Sequence, residues 1–298
     1  MLRTIRLTLA VIFFAFITLL FLDFTGTLHA WFGWMAKIQF LPAVLALNIG
    51  VVLFLAVLTL VFGRIYCSVI CPLGVFQDIV SWLSAKRKKN RFRYSPVLKW
   101  LRYGVLGVFV LAIIDGLNSF VVLLAPYSSY GRIVSSLFSP LYQWANNGLA
   151  YLAERADSYA FYETDVWMKS LPTLLIATVT LVVLIVLAWR GGRTYCNTIC
   201  PVGTVLGFLS KYSLLKPVID TKKCNSCGLC ARNCKASCIN IKAHEIDYSR
   251  CVACMDCISK CRKGAITYTR RKPASAAVSQ ETSVAPEQVN DARRAFLS

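Results

Sequence analysis

A chain of 298 residues that is 57 % apolar and only 16 % charged lies far from the balance of a soluble globular domain, and it predicts several membrane spans. Its net charge of +19 invites a nucleic-acid reading. The cations, however, flank apolar runs and cysteine-rich loops, so no nucleic-acid partner is expected.

Four apolar stretches come close to the ~20 residues that cross the hydrocarbon: Ile5–Leu22, Phe40–Phe62, Leu98–Ile114 and Pro172–Trp189. Arg3 and Arg6 ahead of the first stretch give it the look of a signal peptide. Leu28-His29-Ala30 is a poor cleavage site, so an uncleaved anchor is the better reading. Between the second stretch and the first turn or so of the third stand Arg64, Lys86, Arg87, Lys88, Lys89, Arg91, Arg93, Lys99 and Arg102, whereas residues 116–170 hold only Arg132, Arg155 and Lys169 as basic residues. The positive-inside rule then puts the N-terminus, residues 63–97 and everything after residue 190 on the cytoplasmic side of an inner membrane. All thirteen cysteines fall on that reducing side, where thiolates stay free for metal. The run Lys86–Arg93 is expected to rest on anionic lipid headgroups.

Two stretches end in the same motif. Arg64-Ile-Tyr-Cys67-Ser-Val-Ile-Cys71-Pro-Leu-Gly74 matches Arg193-Thr-Tyr-Cys196-Asn-Thr-Ile-Cys200-Pro-Val-Gly203 at Arg, Tyr, Ile, both Cys, Pro and Gly. The chain therefore reads as a parallel, duplicated two-span unit. Pro72 suits the first position of a helix, and Val75, Phe76, Ile79, Val80 and Leu83 recur at helical spacing after it. That stripe fits either an amphipathic helix on the membrane surface or an ordinary buried face; Val205, Leu206 and Leu209 repeat it. Segment 116–170, with Trp144 and Trp167, reads as external and interfacial. Asp115 is expected to end the third span, or to lie inside the membrane if that span runs on to Leu124.

Cys224-x2-Cys227-x2-Cys230-x3-Cys234 and Cys251-x2-Cys254-x2-Cys257-x3-Cys261 have the spacing that wraps a cubane iron–sulfur cluster. In two-cluster ferredoxins the fourth cysteine of each run serves the other cluster. Cys224, Cys227, Cys230 and Cys261 would then hold one [4Fe-4S] cluster, and Cys251, Cys254, Cys257 and Cys234 the second. Zinc, the rival, fits triple C-x2 spacing badly. Lys235 and Arg262 stand where proline usually follows the fourth cysteine. Less constrained loops and somewhat raised potentials are the expectation. Cys238 aligns with Ala265 of the second run and reads as a small buried packing residue.

If Cys67–Cys71 is helical, its two side chains share a face with Cβ atoms about 5–6 Å apart, which suits two ligands of one cluster better than a disulfide. Cys67, Cys71, Cys196 and Cys200 could together hold a third Fe–S cluster, with reactive dithiol or copper chemistry as the alternative. Each proline opens a helix whose N-terminal end would favour negative charge there. His29 and His244 cannot pair across a haem, and no Gly-rich dinucleotide motif follows a predicted strand.

Two Arg-x-Tyr-Cys-x3-Cys-Pro-x-Gly motifs after apolar helices, followed by a two-cluster ferredoxin pattern, resemble the membrane polyferredoxin family. Its members include the quinol-dehydrogenase subunit of periplasmic nitrate reductase, the nitrous-oxide-reductase regulatory membrane protein and the cytochrome-oxidase accessory protein. The likeness covers about residues 1–270. It implies electron transfer between the quinone pool and a partner oxidoreductase, as a component of an oxidoreductase; a metal-cofactor assembly or regulatory role is the alternative. The expected fold is an α-helical membrane protein with about four transmembrane helices over residues 1–217, a two-cluster ferredoxin-like α+β domain over 218–270, and a disordered tail over 271–298.

Overall fold

The computed structural model describes residues 2–23, 26–85, 92–155, 163–166 and 170–270. The basic residues 86–91, Trp167 and the tail 271–298 lie outside them. The fold is mostly helical. Helix α1 (Leu2–Leu22) is followed by short α2 (Thr27–Phe32), α3 (Trp34–Lys37) and α4 (Phe40–Leu45), then by α5 (Ile49–Phe62). The second apolar stretch is thus broken. Leu47 takes a left-handed φ of 51°, and the Asn48 side chain accepts a 3.3 Å hydrogen bond from Val51 N–H to cap the new helix. Among the described residues, two helices are long and apolar enough to cross a bilayer: α1 and the later α12, each of 21 residues.

After α5 come α6 (Tyr66–Val69), α7 (Pro72–Ala85), α8 (Lys99–Ile114), α9 (Asn118–Leu124) and α10 (Pro126–Ile133). Asp115 is the exposed C-cap of α8, so it ends that helix rather than entering it. A π-helical turn at Val134–Phe138 leads into α11 (Ser139–Glu154). Part of the segment 116–170 packs against the other helices: Tyr130, Ile133 and Val134 are buried, and α10 lies against α7 and α12. Gly131 makes the close approach possible, because a Cβ there would stand 2.6 Å from the Phe21 ring of α1.

Helix α12 (Leu171–Gly191), α13 (Thr194–Thr198) and α14 (Pro201–Ser210) repeat the α5–α6–α7 sequence of elements. The repeat is spatial as well. Helix α7 packs on α1 of its own half and α12 of the other, while α14 packs on α8 and α5. Helices α5 and α12 stop on Gly63 and Gly192, at φ of 69° and 68°, a left-handed region that suits glycine at a helix end.

Helix α7 does not bury its apolar stripe as a whole. Beyond Pro72–Val75, its buried residues are Gln77, Asp78, Ser81 and Ser84, whereas Ile79, Trp82 and Leu83 are exposed, which departs from an ordinary buried face and fits the amphipathic alternative. The core it faces is charged, so the polar side chains turn inward and the apolar ones outward. Its last turn sits beside the end of α12, where Ser84 Oγ donates to Trp189 O at 3.2 Å. Its first turn lies deeper, where Phe76 meets the Tyr130 ring that also contacts Phe14 of α1.

The C-terminal unit consists of β1 (Leu215–Ile219), α15 (Leu229–Arg232), β2 (Ile239–Asn240), β3 (Glu245–Ile246), α16 (Asp256–Lys260) and β4 (Ile266–Arg270). Strand β1 pairs antiparallel with β4 from Leu215↔Arg270 to Ile219↔Ile266, and β2 pairs with β3. A buried carboxylate locks this unit to the helices. Asp78 bonds Arg193 Nε at 2.9 Å and Nη2 at 2.7 Å, pairs with Arg6, and lies 3.6 Å from Lys235 Nζ. Lys235 also reaches Asp256 at 3.2 Å, and Asp256 pairs with Arg3 at 2.8 Å. The loop after Cys234 is therefore held by its lysine rather than loosened by the missing proline. Burial opposes ionisation of Asp78, yet Arg193, Lys235 and Arg6 hold its carboxyl well below the usual carboxylate range.

Two predictions follow from this packing. A Cβ at Gly74 would stand 2.1 Å from Cys67 O, whereas Gly148 in α11 has open space. In thermal unfolding of the detergent-solubilised protein, Gly74→Ala should cost about 1–3 kcal/mol or more, and Gly148→Ala should gain about 0.5–1 kcal/mol. Asp78→Asn leaves the buried guanidinium groups of Arg6 and Arg193 without their counter-charge, while Lys235 keeps Asp256, and should cost about 3–5 kcal/mol. A depressed carboxyl contributes stability above its unfolded pKa of about 4 and loses it only as pH falls through the folded value. The difference between wild type and Asp78→Asn should therefore stay constant from about pH 6 to 8.

Candidate metal centres

The four motif cysteines of the helical body, Cys67, Cys71, Cys196 and Cys200, are 4 % exposed or less and belong to one buried cluster of side chains. Each half builds its share identically. Cys71 N–H donates to Tyr66 O and Cys200 N–H to Tyr195 O, both at 3.0 Å, so each half closes a wide π-type turn before its proline opens the next helix. Only one helical turn precedes Cys71, which lies beyond α6, so the two cysteines do not sit on a continuous helix as expected. The motif tyrosines anchor the site to the segments before α5 and α12. Tyr66 Oη donates to Gln39 Oε1 at 2.9 Å and accepts from Phe40 N–H at 3.0 Å, while Tyr195 Oη donates to Leu124 O at 3.1 Å.

The motif arginines cross between the halves. Arg193 Nη1 donates to Cys67 O, and Arg64 Nη2 donates to Cys196 O at 3.1 Å. Arg64 Nη1 also reaches Asn197 Oδ1 at 2.9 Å and Ser249 O at 3.1 Å, two residues before Cys251. The motif glycines leave room for this exchange: a Cβ at Gly203 would lie 2.1 Å from Cys196 O and 2.9 Å from Arg64 Nη2. The arginines were visible as motif members in the sequence, but their reciprocal reach was not.

The halves differ in charge. The position seven after Cys71 is Asp78; seven after Cys200 it is Gly207. Arg102 fills the vacated space, its Nη2 donating to Gly203 O at 3.3 Å and Ser249 O at 3.1 Å. Arg64 and Arg102 are buried at 0 % and 3 % exposure and have no carboxylate partner among the described residues. Their Nε atoms are unpartnered there as well. Arg64 Nη2 stands 3.9 Å from Cys67 Sγ. Uncompensated buried guanidinium beside four thiols is the environment of an anion. An iron–sulfur core held by four thiolates is anionic and fits that requirement, whereas two disulfides would be neutral.

In the C-terminal unit, Cys224, Cys227, Cys230 and Cys261 line one cavity of about 310 Å³. Cys234, Cys251, Cys254 and Cys257 line a second, much smaller one together with Cys238. Cys261 thus lines the cavity of the first run, and Cys234 that of the second. Ser226, Gly228, Ala253 and Met255 adopt left-handed backbone within the two loops, curling the chain around each cavity. Cys238 is 1 % exposed and lies 3.5 Å from Cys234 Sγ. Hydrogen bonding to Cys238 holds the Cys234 thiol down at about 7 and lowers Cys251 too, while burial pushes Cys254 up to about 12. Cys238 is therefore buried as expected, and in addition bonds to two neighbours, a role its spacing did not reveal. Among the described residues, no three His, Cys, Asp or Glu side chains converge on a single-ion site.

Comparison with known proteins agrees with this arrangement. The profile described as a 4Fe-4S binding domain matches twice, at residues 44–91 and 171–221, once over each half of the body. A second profile of the same description matches residues 244–267. The ferredoxin-type protein NapH of Haemophilus influenzae is 30 % identical over 212 residues, covering 70 % of this chain and 60 % of that protein. The uncharacterized protein MJ0749 of Methanocaldococcus jannaschii is 26 % identical over 220 residues, 72 % and 67 % of the two chains. The methylamine utilization ferredoxin-type protein MauN of Methylobacillus flagellatus is 24 % identical over 210 residues, 68 % and 61 %. The chain thus spans about three-fifths to two-thirds of these relatives' lengths. No solved structure matches it. With cysteine groups, doubled profile and relatives in accord, the chain belongs to the polyferredoxin family of 4Fe-4S binding proteins.

Proposed function

We propose that this chain is a membrane-bound iron–sulfur protein that relays single electrons between the quinone pool and a partner oxidoreductase. The observation that carries the reading is the joining of three cysteine groups in series. Arg64 links the body cysteines to the Ser249–Cys251 segment, and Cys234 and Cys251 belong to a unit whose other cavity opens outward at Cys227. Relatives named as ferredoxin-type, one of them for methylamine utilization, support an electron-carrying role that serves different redox systems.

In this reading Cys224, Cys227, Cys230 and Cys261 hold one [4Fe-4S] cluster, Cys234, Cys251, Cys254 and Cys257 a second, and Cys67, Cys71, Cys196 and Cys200 a third shared between the halves. Each such group, when bound, takes up and gives back one electron. The protein's own residues set the conditions. Arg64, Arg102 and Arg193 supply fixed positive charge that needs no solvent reorganisation. Tyr66 and Tyr195 pin each motif from the far side. Burial excludes water from the body cysteines.

Residues 1–217 form the membrane body and 218–270 the ferredoxin-like domain in this proposal. Four passages cross an inner membrane, with the N-terminus and the ferredoxin-like domain on the cytoplasmic side, as the basic residues indicate. Helices α5 and α8 are shorter than α1 and α12, but they turn Leu53, Phe54 and Val57, and Val108, Val110 and Leu111, outward, as lipid contact requires.

Low-temperature EPR with iron quantification on anaerobically purified protein tests the assignment. Wild type should show three cubane centres. Cys67→Ala should lose one and keep the other two, and Cys238→Ala should keep all three. Unchanged iron in Cys67→Ala would remove the shared centre. The relay itself is tested by reoxidising the reduced protein with a water-soluble quinone analogue; centres that stay reduced would overturn it.

A further inference from the structure

Resting on the electron-relay reading, we infer that the outer edge of the C-terminal unit is a docking surface for a small acidic one-electron carrier. The cavity of Cys224, Cys227, Cys230 and Cys261 is unlike the site in the helical body. Cys227 is exposed and Cys224 and Cys261 are half-buried, whereas all four body cysteines are sealed. The cavity is the open end of the series.

Cations frame that opening. Lys222 and Lys223 immediately precede Cys224, Arg262 and Lys263 immediately follow Cys261, and all four are exposed. Arg262 and Lys263 line the cavity itself. Arg232 donates from Nη2 to Cys227 O at 2.8 Å, adding a fifth positive group at the same edge. Against these stands Asp220, 4.0 Å from Lys223 Nζ. Lys222, Arg262 and Lys263 form no ion pair among the described residues. Half-buried Ile219, Leu229 and Ile241 supply an apolar floor inside the charged rim, the layout of a protein interface.

Exposed cations contribute little to folding, but their field reaches about 10 Å at 0.1 M salt and steers an oppositely charged partner. The unit holds the helical body through other residues, namely Lys235, Tyr248, Ser249 and Tyr268. A lipid-binding patch would have no need of an exposed cofactor cavity at its centre, whereas a carrier must bring its own cofactor close to one. In the exchange, the carrier's cofactor loses one electron and the iron–sulfur group gains it, or the reverse when the driving force is reversed; no bond forms and no proton moves.

The test uses the full-length, anaerobically purified protein in phosphatidylcholine nanodiscs, with stopped-flow electron exchange against an acidic ferredoxin and against a basic cytochrome c. With the acidic carrier, the second-order rate constant should fall at least about tenfold as salt rises from about 20 to about 200 mM. The combined Lys222→Glu, Lys223→Glu, Arg262→Glu and Lys263→Glu variant should lose about tenfold or more at low salt while its EPR signals persist. Arg270→Glu, at the far end of β4, should exchange as wild type does. Rates indifferent to salt, a variant equal to wild type, or faster exchange with the basic carrier would overturn the inference. So would wild-type exchange that slows in phosphatidylglycerol nanodiscs and recovers in the variant, because the patch would then lie on lipid. Quinone-analogue reoxidation that persists in those cases leaves the relay reading intact; its loss in wild type sinks that reading instead.

Discussion

The reciprocal reach of two arginines holds this molecule together. Arg64 and Arg193 begin equivalent motifs, yet each donates to the cysteine carbonyl of the other half. Neither half can complete its own surroundings. The cost of burying two guanidinium groups is met on one side by Asp78 and on the other by backbone carbonyls and Asn197. A hydrogen bond from a charged donor is worth more in such surroundings than in water. Displacing one partner would leave a buried charge with nothing to answer it.

That charged interior dictates how the helices are oriented. A soluble protein turns its apolar faces inward; α7 does the opposite, burying Gln77, Asp78, Ser81 and Ser84 while Trp82 and Leu83 face out. Of these polar groups, Asp78 is answered inside by Arg193, Arg6 and Lys235, and Ser84 by Trp189 O. The same logic accounts for α10. Its Tyr130 contacts Phe14, Phe21 and Phe76 and shares a 2.6 Å hydrogen bond with Thr18, so the hydroxyl is not left unpartnered.

What was legible in the sequence was local. Cysteine spacing, the repeated Arg-x-Tyr-Cys-x3-Cys-Pro-x-Gly motif and the apolar stretches at α1 and α12 are each encoded within some twenty residues, and they pointed to the cysteine groupings and the duplication. Asp78 escaped notice because its meaning comes from Arg193, 115 residues away. Arg102 and Ser249, 147 residues apart, escaped for the same reason. The apolar stripe after Pro72 left two readings open, because periodicity reports an amphipathic helix without saying which face meets the core. Lys235 looked like a lost proline; its ion pairs with Asp78 and Asp256 could not be read from its neighbours in the chain.

The crossing arginines also impose an order on biogenesis. Arg64 is not satisfied until residues 196, 197 and 249 have been made and have folded back upon it. A ribosome delivers the chain from the N-terminus, so the first motif must wait, its cysteines accessible, until almost the whole protein has emerged. Closure around the four body cysteines thus belongs after translation of the C-terminal unit, and a truncated chain would leave the thiols of the first motif exposed.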